Sequence, residues 1–251
     1  MTKKVLVRAD DLGYSRGVNL GIADALKGGI IKSVGVMTNM PETQSGLELI
    51  QGSGACLGLH TNICVGKPLC DPAEIPSLVQ ENGEFKSSKT YRSAKEDFVV
   101  LEEVIREIEA QYVRFKELTG QEPSYFEGHA VASDNFFKGM EMVARKHGCD
   151  YLGMSFTGTV PFKNAQMDMV MDSMDPGYDP AASLKRIAQT DYPEGTIPTL
   201  VCHPGYLDAY ILQTSSLREP RTLEVAMAQD EELKQWLADH DVELITYDDI
   251  D

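Results

Sequence analysis

The sequence predicts an α/β protein built on a mainly parallel sheet or barrel, and three observations predict it. Apolar runs of strand length alternate with stretches of helical period, the pattern of successive βα units. Four of those runs meet acid or imidazole groups at or near their ends: KVLVRADD at Asp10 and Asp11, ACLGLH at His60, SYFEGH at His129 and TLVCHPGY at His203. In parallel α/β proteins one end of the sheet carries the catalytic groups, so these residues are expected to converge. One helix is also sharply marked, by Leu101, Ile105, Ile108, Tyr112 and Phe115 at alternating four and three spacing before Gly120 stops it.

In chain order, a strand over 4–9 leads into a helix over 15–27 that Ser15 caps. A strand over 33–38, a helix over 43–51 and a strand over 56–61 follow. Residues 64–92 then show no sustained period and are broken by prolines and glycines. A stretch that long inside a compact domain is more often functional than idle, and it reads as a flap over the site entrance with a hairpin turn at Asn82-Gly83. Ser93-Ala94-Lys95-Glu96 reads as a capping box opening a helix over 94–119. Beyond it come a strand over 125–129, a helix over 134–147 bracketed by Asp134 and Gly148, and a strand over 151–156. A helix over 180–190, a strand over 198–203, a helix over 221–240 and a strand over 243–247 complete the reading, with no internal repeat.

The bulk numbers set limits on partners. At 251 residues and 42% hydrophobic the chain can bury a sizeable core, and one domain over 1–251 is expected. Its formal charge of −16 is spread along the sequence, which disfavours nucleic acid and anionic membranes. Five cysteines form no CxxC pair and read as reduced thiols. The amino-terminal MTKKVLVRADD reaches carboxylates before any signal-peptide apolar stretch, and no run approaches the ~20 residues of a membrane span, so a cytoplasmic protein is expected.

Asp10-Asp11 closes an apolar run, and successive residues at a strand end point in different directions, so one carboxylate can face a metal and the other a substrate. The alternative is that they cap a loop. His147 and His240 fall at predicted helix C-termini, where the dipole favours partial positive charge, and read as structural. His60, His129 and His203 close successive strands; one alone would read as a hydrogen-bonded structural group, whereas three suggest a shared divalent metal site with a general acid and base. Other templates fail. Gly52-Ser53-Gly54 precedes a strand instead of following one, no Walker sequence occurs, and Gly153-Met154-Ser155 lacks the second glycine of a nucleophile elbow.

The stretch RADDLGYSRGVNLGIADALKGGIIKSVGVMTNMP resembles the opening of the YdjC-like carbohydrate deacetylases, and LGLHTNICVGKPL, the GH of YFEGH, VCHPGYLDAYILQTSSLREPR and ELITYDD agree with it in order along nearly the whole chain. The resemblance implies an irregular, TIM-like (β/α) barrel related to the polysaccharide deacetylases. It implies metal ligands at Asp11, His60 and His129, a general base at Asp10 and an acid at His203. After His129 the chain departs from the family's histidine-rich run and reads Ala130-Val131-Ala132-Ser133.

The implied reaction removes an N-acetyl group from a small, chitobiose-like amino sugar, phosphorylated or not. A metal on two imidazoles and one carboxylate leaves positions open and can bring bound water from a pKa of ~15.7 towards ~7. The resemblance suggests Mg²⁺, whereas the donor set suits Zn²⁺ or another transition ion better. Asn62, Lys67, Glu127 and Tyr206 are the candidate substrate contacts, Tyr206 as a ring that stacks on a pyranose. The oligosaccharide is the expected partner, and a homodimer is allowed. Two rivals stand beside this reading: a glycosidic hydrolase of a phosphorylated disaccharide using Asp10 and Glu127, and a non-catalytic sugar-binding or regulatory homologue.

Overall fold

A computed structural model of the chain describes residues 3–155 and 157–251. It opens with strand β1 (Lys3–Leu12) and helix α1 (Arg16–Gly28), then β2 (Ser33–Val36), α2 (Thr43–Leu49) and β3 (Cys56–Thr61). Next come α3 (Ser88–Ser93), α4 (Leu101–Thr119), β4 (Phe126–Gly128), α5 (Asp134–His147), and the strands β5 (Val160–Phe162) and β6 (Ala165–Val170). The chain continues through α6 (Pro180–Gln189), β7 (Thr196–Cys202), α7 (Ala209–Thr214), α8 (Glu219–Ala228), α9 (Glu231–Asp239) and β8 (Val242–Ile245).

The strands form one sheet in the order β4-β3-β2-β1-β7-β6-β5, parallel throughout except for the β5–β6 hairpin. The central strand β1 pairs with β2 over Arg8–Leu12, with β7 over Leu6–Ala9 and with β8 over Lys3–Leu6. Parallel pairing gathers the carboxyl ends of β1, β3, β4 and β7 on one side, and with them Asp10, His60, His129 and His203. The sheet curls as a half-barrel. The two-residue period of β1 sends Val5, Val7 and Ala9 under the helices and Leu6 to the concave side, where it meets Cys56, Tyr125, Met167, Ile245 and Tyr247. Tyr247 belongs to a 3-10 turn over Tyr247–Asp249 after β8; its ring packs 4.0 Å from Tyr125 and 5.2 Å from Phe162, centroid to centroid. This turn closes the inside of the sheet below the polar groups. Truncating Tyr247 to Ala would cost about 3–5 kcal/mol as a large-to-small core change.

Several boundaries differ from the sequence expectation, each for a local reason. The long helix expected from residue 94 starts at Leu101, and Ser93 ends α3 instead. Asp97 explains the break: its carboxylate takes the Val99 and Asn135 amides and the Ser133 hydroxyl, contacts that helical backbone at 97 would forgo. Ser133, not Asp134, caps α5, accepting from the Phe136 amide at 3.1 Å. The helix expected over 221–240 is two helices, because Asp230 accepts from the Glu232 and Leu233 amides and caps α9. Of the strand expected over 151–156, Tyr151 makes a single bridge to Phe126, and residue 156 lies outside the described residues. The β5–β6 hairpin, α3 and α7 were not expected.

The segment over 64–92 is ordered locally. Val79 bridges Phe85, and the Gly83 amide donates to the Gln80 carbonyl at 2.9 Å, which makes the turn at Asn82-Gly83. Its base is held by α4: the buried Glu107 carboxylate accepts from the Leu69 and Cys70 amides, and Gln111 donates to the Asn62 carbonyl.

Candidate functional site

The site starts from an irregularity in β1. Ala9 pairs with Val34 and Leu12 with Val36, so three steps on β1 oppose two on β2, and the extra residue is a bulge at Asp10-Asp11. Asp11 takes φ +77, a left-handed conformation that aspartate tolerates better than most residues but that still costs about 1–3 kcal/mol. The bulge lets two consecutive carboxylates face the same buried space; Asp10 is 2% exposed and Asp11 0%. Gly35 on β2 makes the room, since a Cβ there would lie 3.0 Å from Asp10 Oδ1 and Glu127 Oε1 and 3.1 Å from His60 Cβ.

Three donor atoms form a triangle. Asp11 Oδ1 lies 3.2 Å from His60 Nε2 and 3.0 Å from His129 Nδ1, and the two nitrogens are 2.9 Å apart. Despite these distances, Asp11 Oδ1 is buried without a hydrogen bond, because the ring N–H directions do not aim at it. Three donors bound at about 2.1 Å and at right angles around one cation would lie about 3.0 Å apart. The atoms present therefore fit a divalent ion on Asp11, His60 and His129. The charges of the cluster act strongly on one another. Burial by itself would raise the Asp11 carboxyl, but Arg221, His129 and His60 hold it well below the usual carboxylate range. Burial would lower His129, yet the Asp11 carboxylate lifts it to about 9, and Glu127 and Asp10 hold His60 well above its ordinary value against the same burial.

Behind the triangle sits a second layer. His60 Nδ1 contacts Glu127 Oε1, which turns Nε2 towards Asp11, the arrangement in which a carboxylate orients a metal-binding imidazole. Arg8, 2% exposed, reaches Asp10 Oδ1 at 2.7 Å and donates to Oδ2 at 2.8 Å, lies 3.5 Å from Glu127 Oε2, and donates to the Tyr247 hydroxyl at 3.0 Å. Of the two contacts to Asp10, the one to Oδ2 has hydrogen-bond geometry and the one to Oδ1 does not, so Asp10 Oδ1 is a second buried oxygen without a hydrogen bond. Glu127, expected as a substrate contact, has both oxygens engaged inside the cluster: one faces a ring nitrogen and the other a guanidinium.

The opposite wall comes from β7 and α8. Arg221, 2% exposed, donates to Asp11 Oδ2 at 2.7 Å and to the His203 carbonyl at 3.2 Å, with the Tyr14 ring beneath it. Glu224, fully buried, accepts from the His203 amide at 2.6 Å and from the Tyr178 hydroxyl at 2.9 Å. Burial pushes Glu224 up to about 7 although both donors pull it down. Burial pushes His203 down to about 4 against the pull of Asp11 and Asp10, and its Nδ1 is buried without a partner.

Other expected contacts fall elsewhere. Asn62 is buried with its side chain spent on Asn39, Val65 and Cys64, so it shapes the loop after β3. Lys67 is exposed on that loop. Tyr206 bonds Asp24 at 2.9 Å, more than two turns into α1, so its ring lies on the outer side of that helix and not beside the carboxylates. The aromatic groups that do approach are Tyr14, 6.0 Å from the His129 ring, and Tyr210, 5.8 Å from Tyr14 and 38% exposed. Burial raises the Tyr210 hydroxyl, and the charge of Glu84 adds to it. A surface cavity of about 680 Å³ beside Lys3, Pro193 and Asp249 opens at the other end of β1 and holds none of these groups.

No helix of the described residues is long and apolar enough to cross a membrane. The sequence profile described as YdjC-like protein matches residues 4–239. "Carbohydrate deacetylase 2" of Listeria innocua serovar 6a is 32% identical, with 98% of each chain covered, and "Chitooligosaccharide deacetylase" of Serratia marcescens is 30% identical over the full length of both. Among solved structures, a protein of Enterococcus faecalis V583 named for cellobiose-phosphate cleavage superposes with a TM-score of 0.84 at 23% identity, covering 99% of this chain and 98% of that one. A family 4 carbohydrate esterase of Streptomyces lividans superposes at 0.54 and 10% identity, covering 98% and 95%. These two likenesses concern the fold, a TIM-like α/β barrel, while the profile and the full-length relatives concern descent: the chain belongs to the YdjC-like family.

Proposed function

We propose that this chain is a metal-dependent carbohydrate deacetylase that hydrolyses the acetamide of a small amino-sugar oligosaccharide. The observation that carries the reading is the triangle of Asp11 Oδ1, His60 Nε2 and His129 Nδ1, with Asp10, paired to Arg8, and His203, whose Nδ1 has no hydrogen bond, beside it. The names of the full-length relatives support the reaction class. An ion held by Asp11, His60 and His129 would supply Lewis-acid chemistry, lowering the pKa of water and polarising the acetyl carbonyl. Two imidazoles and one carboxylate favour zinc or another transition ion over magnesium.

The chain's own groups perform the proton transfers. Asp10, whose two oxygens both face the Arg8 guanidinium, takes the proton of the attacking water as oxygen adds to the carbonyl carbon. His203 gives a proton to nitrogen as the C–N bond breaks, releasing acetate and a free amine. With its Nδ1 buried, Nε2 is the atom left to face substrate. A ring held near 4 binds a proton weakly, so it is a strong acid toward a departing amine and is loaded from Asp10 within the cycle. The 64–92 segment is the candidate flap, fixed at its base by Glu107, with Lys67 and Tyr210 as the exposed groups a sugar can meet.

Glycosidic cleavage is disfavoured by the same geometry. It requires two accessible carboxylates ~5 to 9.5 Å apart, but Asp10 and Glu127 offer oxygens within 4.8 Å of each other and share the Arg8 guanidinium. The deciding experiment measures metal content and acetate release from N,N′-diacetylchitobiose and its 6-phosphate. Disaccharide cleavage without acetate would favour the glycosidase, and binding without turnover would favour a non-catalytic homologue.

A further inference from the structure

We propose that helix α8 is a splint for the proton donor: Glu224 and Arg221 are positioning residues that fix His203 relative to Asp11. α8 grips the His203 peptide at both ends. The amide N–H of His203 donates to Glu224 Oε2 at 2.6 Å, and the carbonyl of the same residue accepts from Arg221 Nη1 at 3.2 Å. Both partners stand on one face of α8, three residues apart. Arg221 continues to Asp11 Oδ2 at 2.7 Å, so a single guanidinium bridges the donor's backbone and a carboxylate of the triangle. Its third contact, from Nε to the Leu217 carbonyl at 3.0 Å, fixes the fork at the helix start, and Tyr178 holds the second oxygen of Glu224.

The other side of the peptide is equally closed. The Gly205 amide donates to the Arg221 carbonyl, the Tyr206 amide donates to the Gly17 carbonyl, and Gly21 of α1 lies so near that a Cβ on it would sit 2.4 Å from Gly205 Cα. The segment 203–206 therefore runs in a slot between α1 and α8. The imidazole itself makes no side-chain hydrogen bond through Nδ1, so its place is set through its backbone and not through its ring. Neither Glu224 nor Arg221 touches the reacting atoms in this arrangement. Their action is on where the ring sits when the C–N bond breaks and the amine takes its proton.

This deepens the deacetylase reading and rests on it for the chemistry, while the geometry is testable without turnover. Glu224→Ala removes the amide's acceptor and leaves room for water. It should lower kcat on N,N′-diacetylchitobiose about tenfold or more with KM and metal content little changed. An aryl acetate such as 4-nitrophenyl acetate expels a leaving group that needs no proton, so the ratio of ester to amide turnover should rise about tenfold. Glu224→Gln keeps the acceptor and should restore amide turnover to within about threefold of native. In a crystal structure of Glu224→Ala the His203 ring should be displaced or split between rotamers; should that variant not fold, Glu224→Asp, whose carboxylate stops one methylene short, replaces it in every arm. A ring superposing on the native position overturns the proposal, as do equal losses on ester and amide or loss of neither. A native protein that releases no acetate from either sugar would sink the deacetylase reading instead, and the ring position would still decide the splint.

Discussion

Glu224 also makes a stability prediction that needs no substrate. Its carboxyl is fully buried, and its proton affinity in the fold corresponds to about 7, against 4.5 as the ordinary value. Between those two pH values the folded chain holds a proton that the unfolded chain has lost, so stability falls as pH rises through the window. The contribution is present in full below 4.5 and lost above 7. At about 1.4 kcal/mol for each tenfold change in affinity, the loss amounts to about 3 kcal/mol by pH 8. Glu224→Gln keeps an oxygen for the His203 amide and cannot ionise, so it escapes the penalty. Urea unfolding of both proteins from pH 4.5 to 8 should show nearly equal stability at the acid end and a growing advantage for the variant, up to about 3 kcal/mol. For a chain of this length that corresponds to about 6–12 °C in Tm. Every other titrating group is common to both proteins and cancels in the difference. A gap that stays constant across the window, or one that grows in favour of the native chain, would refute the account of a buried carboxylate held by two neutral donors.

Other predictions follow from the cluster. Asp10→Asn should keep the metal and cut acetamide turnover by about 10²-fold or more, whereas Asp11→Asn should lose the metal, both read by metal analysis beside kinetics. Because Asp11 lifts His129 to about 9, the metal-free site holds a proton at pH 7 that an ion must displace. Calorimetry of Zn²⁺ binding in two buffers of different ionisation enthalpy should show proton release and weaker binding as pH falls; an uptake of protons would contradict the assignment. Gly35→Ala places a methyl 3.0 Å from both Asp10 and Glu127 and should abolish most activity while circular dichroism remains native. Tyr210→Ala should raise KM for the disaccharide severalfold and Tyr206→Ala should leave it unchanged, and the reverse pattern would place the sugar over α1 instead.

The five polar residues at strand ends were legible because parallel strands align their carboxyl ends, so Asp10, Asp11, His60, His129 and His203 had to converge once the strands were recognised. Their supports were not. Arg8 sits two residues before Asp10 on the same strand face, a period the sequence does contain, but its value depends on Tyr247, 239 residues away. Arg221 and Glu224 look like ordinary helix-surface charges, and only the packing of α8 against α1 and α6, with the His203 peptide across it, reveals them as buried. Tyr206 misled for the converse reason: its place beside His203 in sequence implied the site, yet the close approach of α1 at Gly17 and Gly21 turns it outward. Local caps misled in the same manner, since Asp97 and Asp230 hold backbone amides that a continuous helix would have hidden.

The turn over Tyr247–Asp249 that closes the concave side has a consequence for biosynthesis. The triangle's residues, 11, 60 and 129, leave the ribosome well before Tyr247. At about 5–20 residues per second, some 10–50 s separate the appearance of Arg8 from that of its hydroxyl partner. Between the appearance of His129 and that of Arg221 the nascent chain has imidazoles and carboxylates in hand but neither the floor under Arg8 nor the guanidinium of Arg221 against Asp11. Ions met early would bind a loose, hydrated cluster and exchange freely. Any selection among ions would fall at the moment the barrel closes, when the cluster is drawn out of water and its donors are held at fixed spacing.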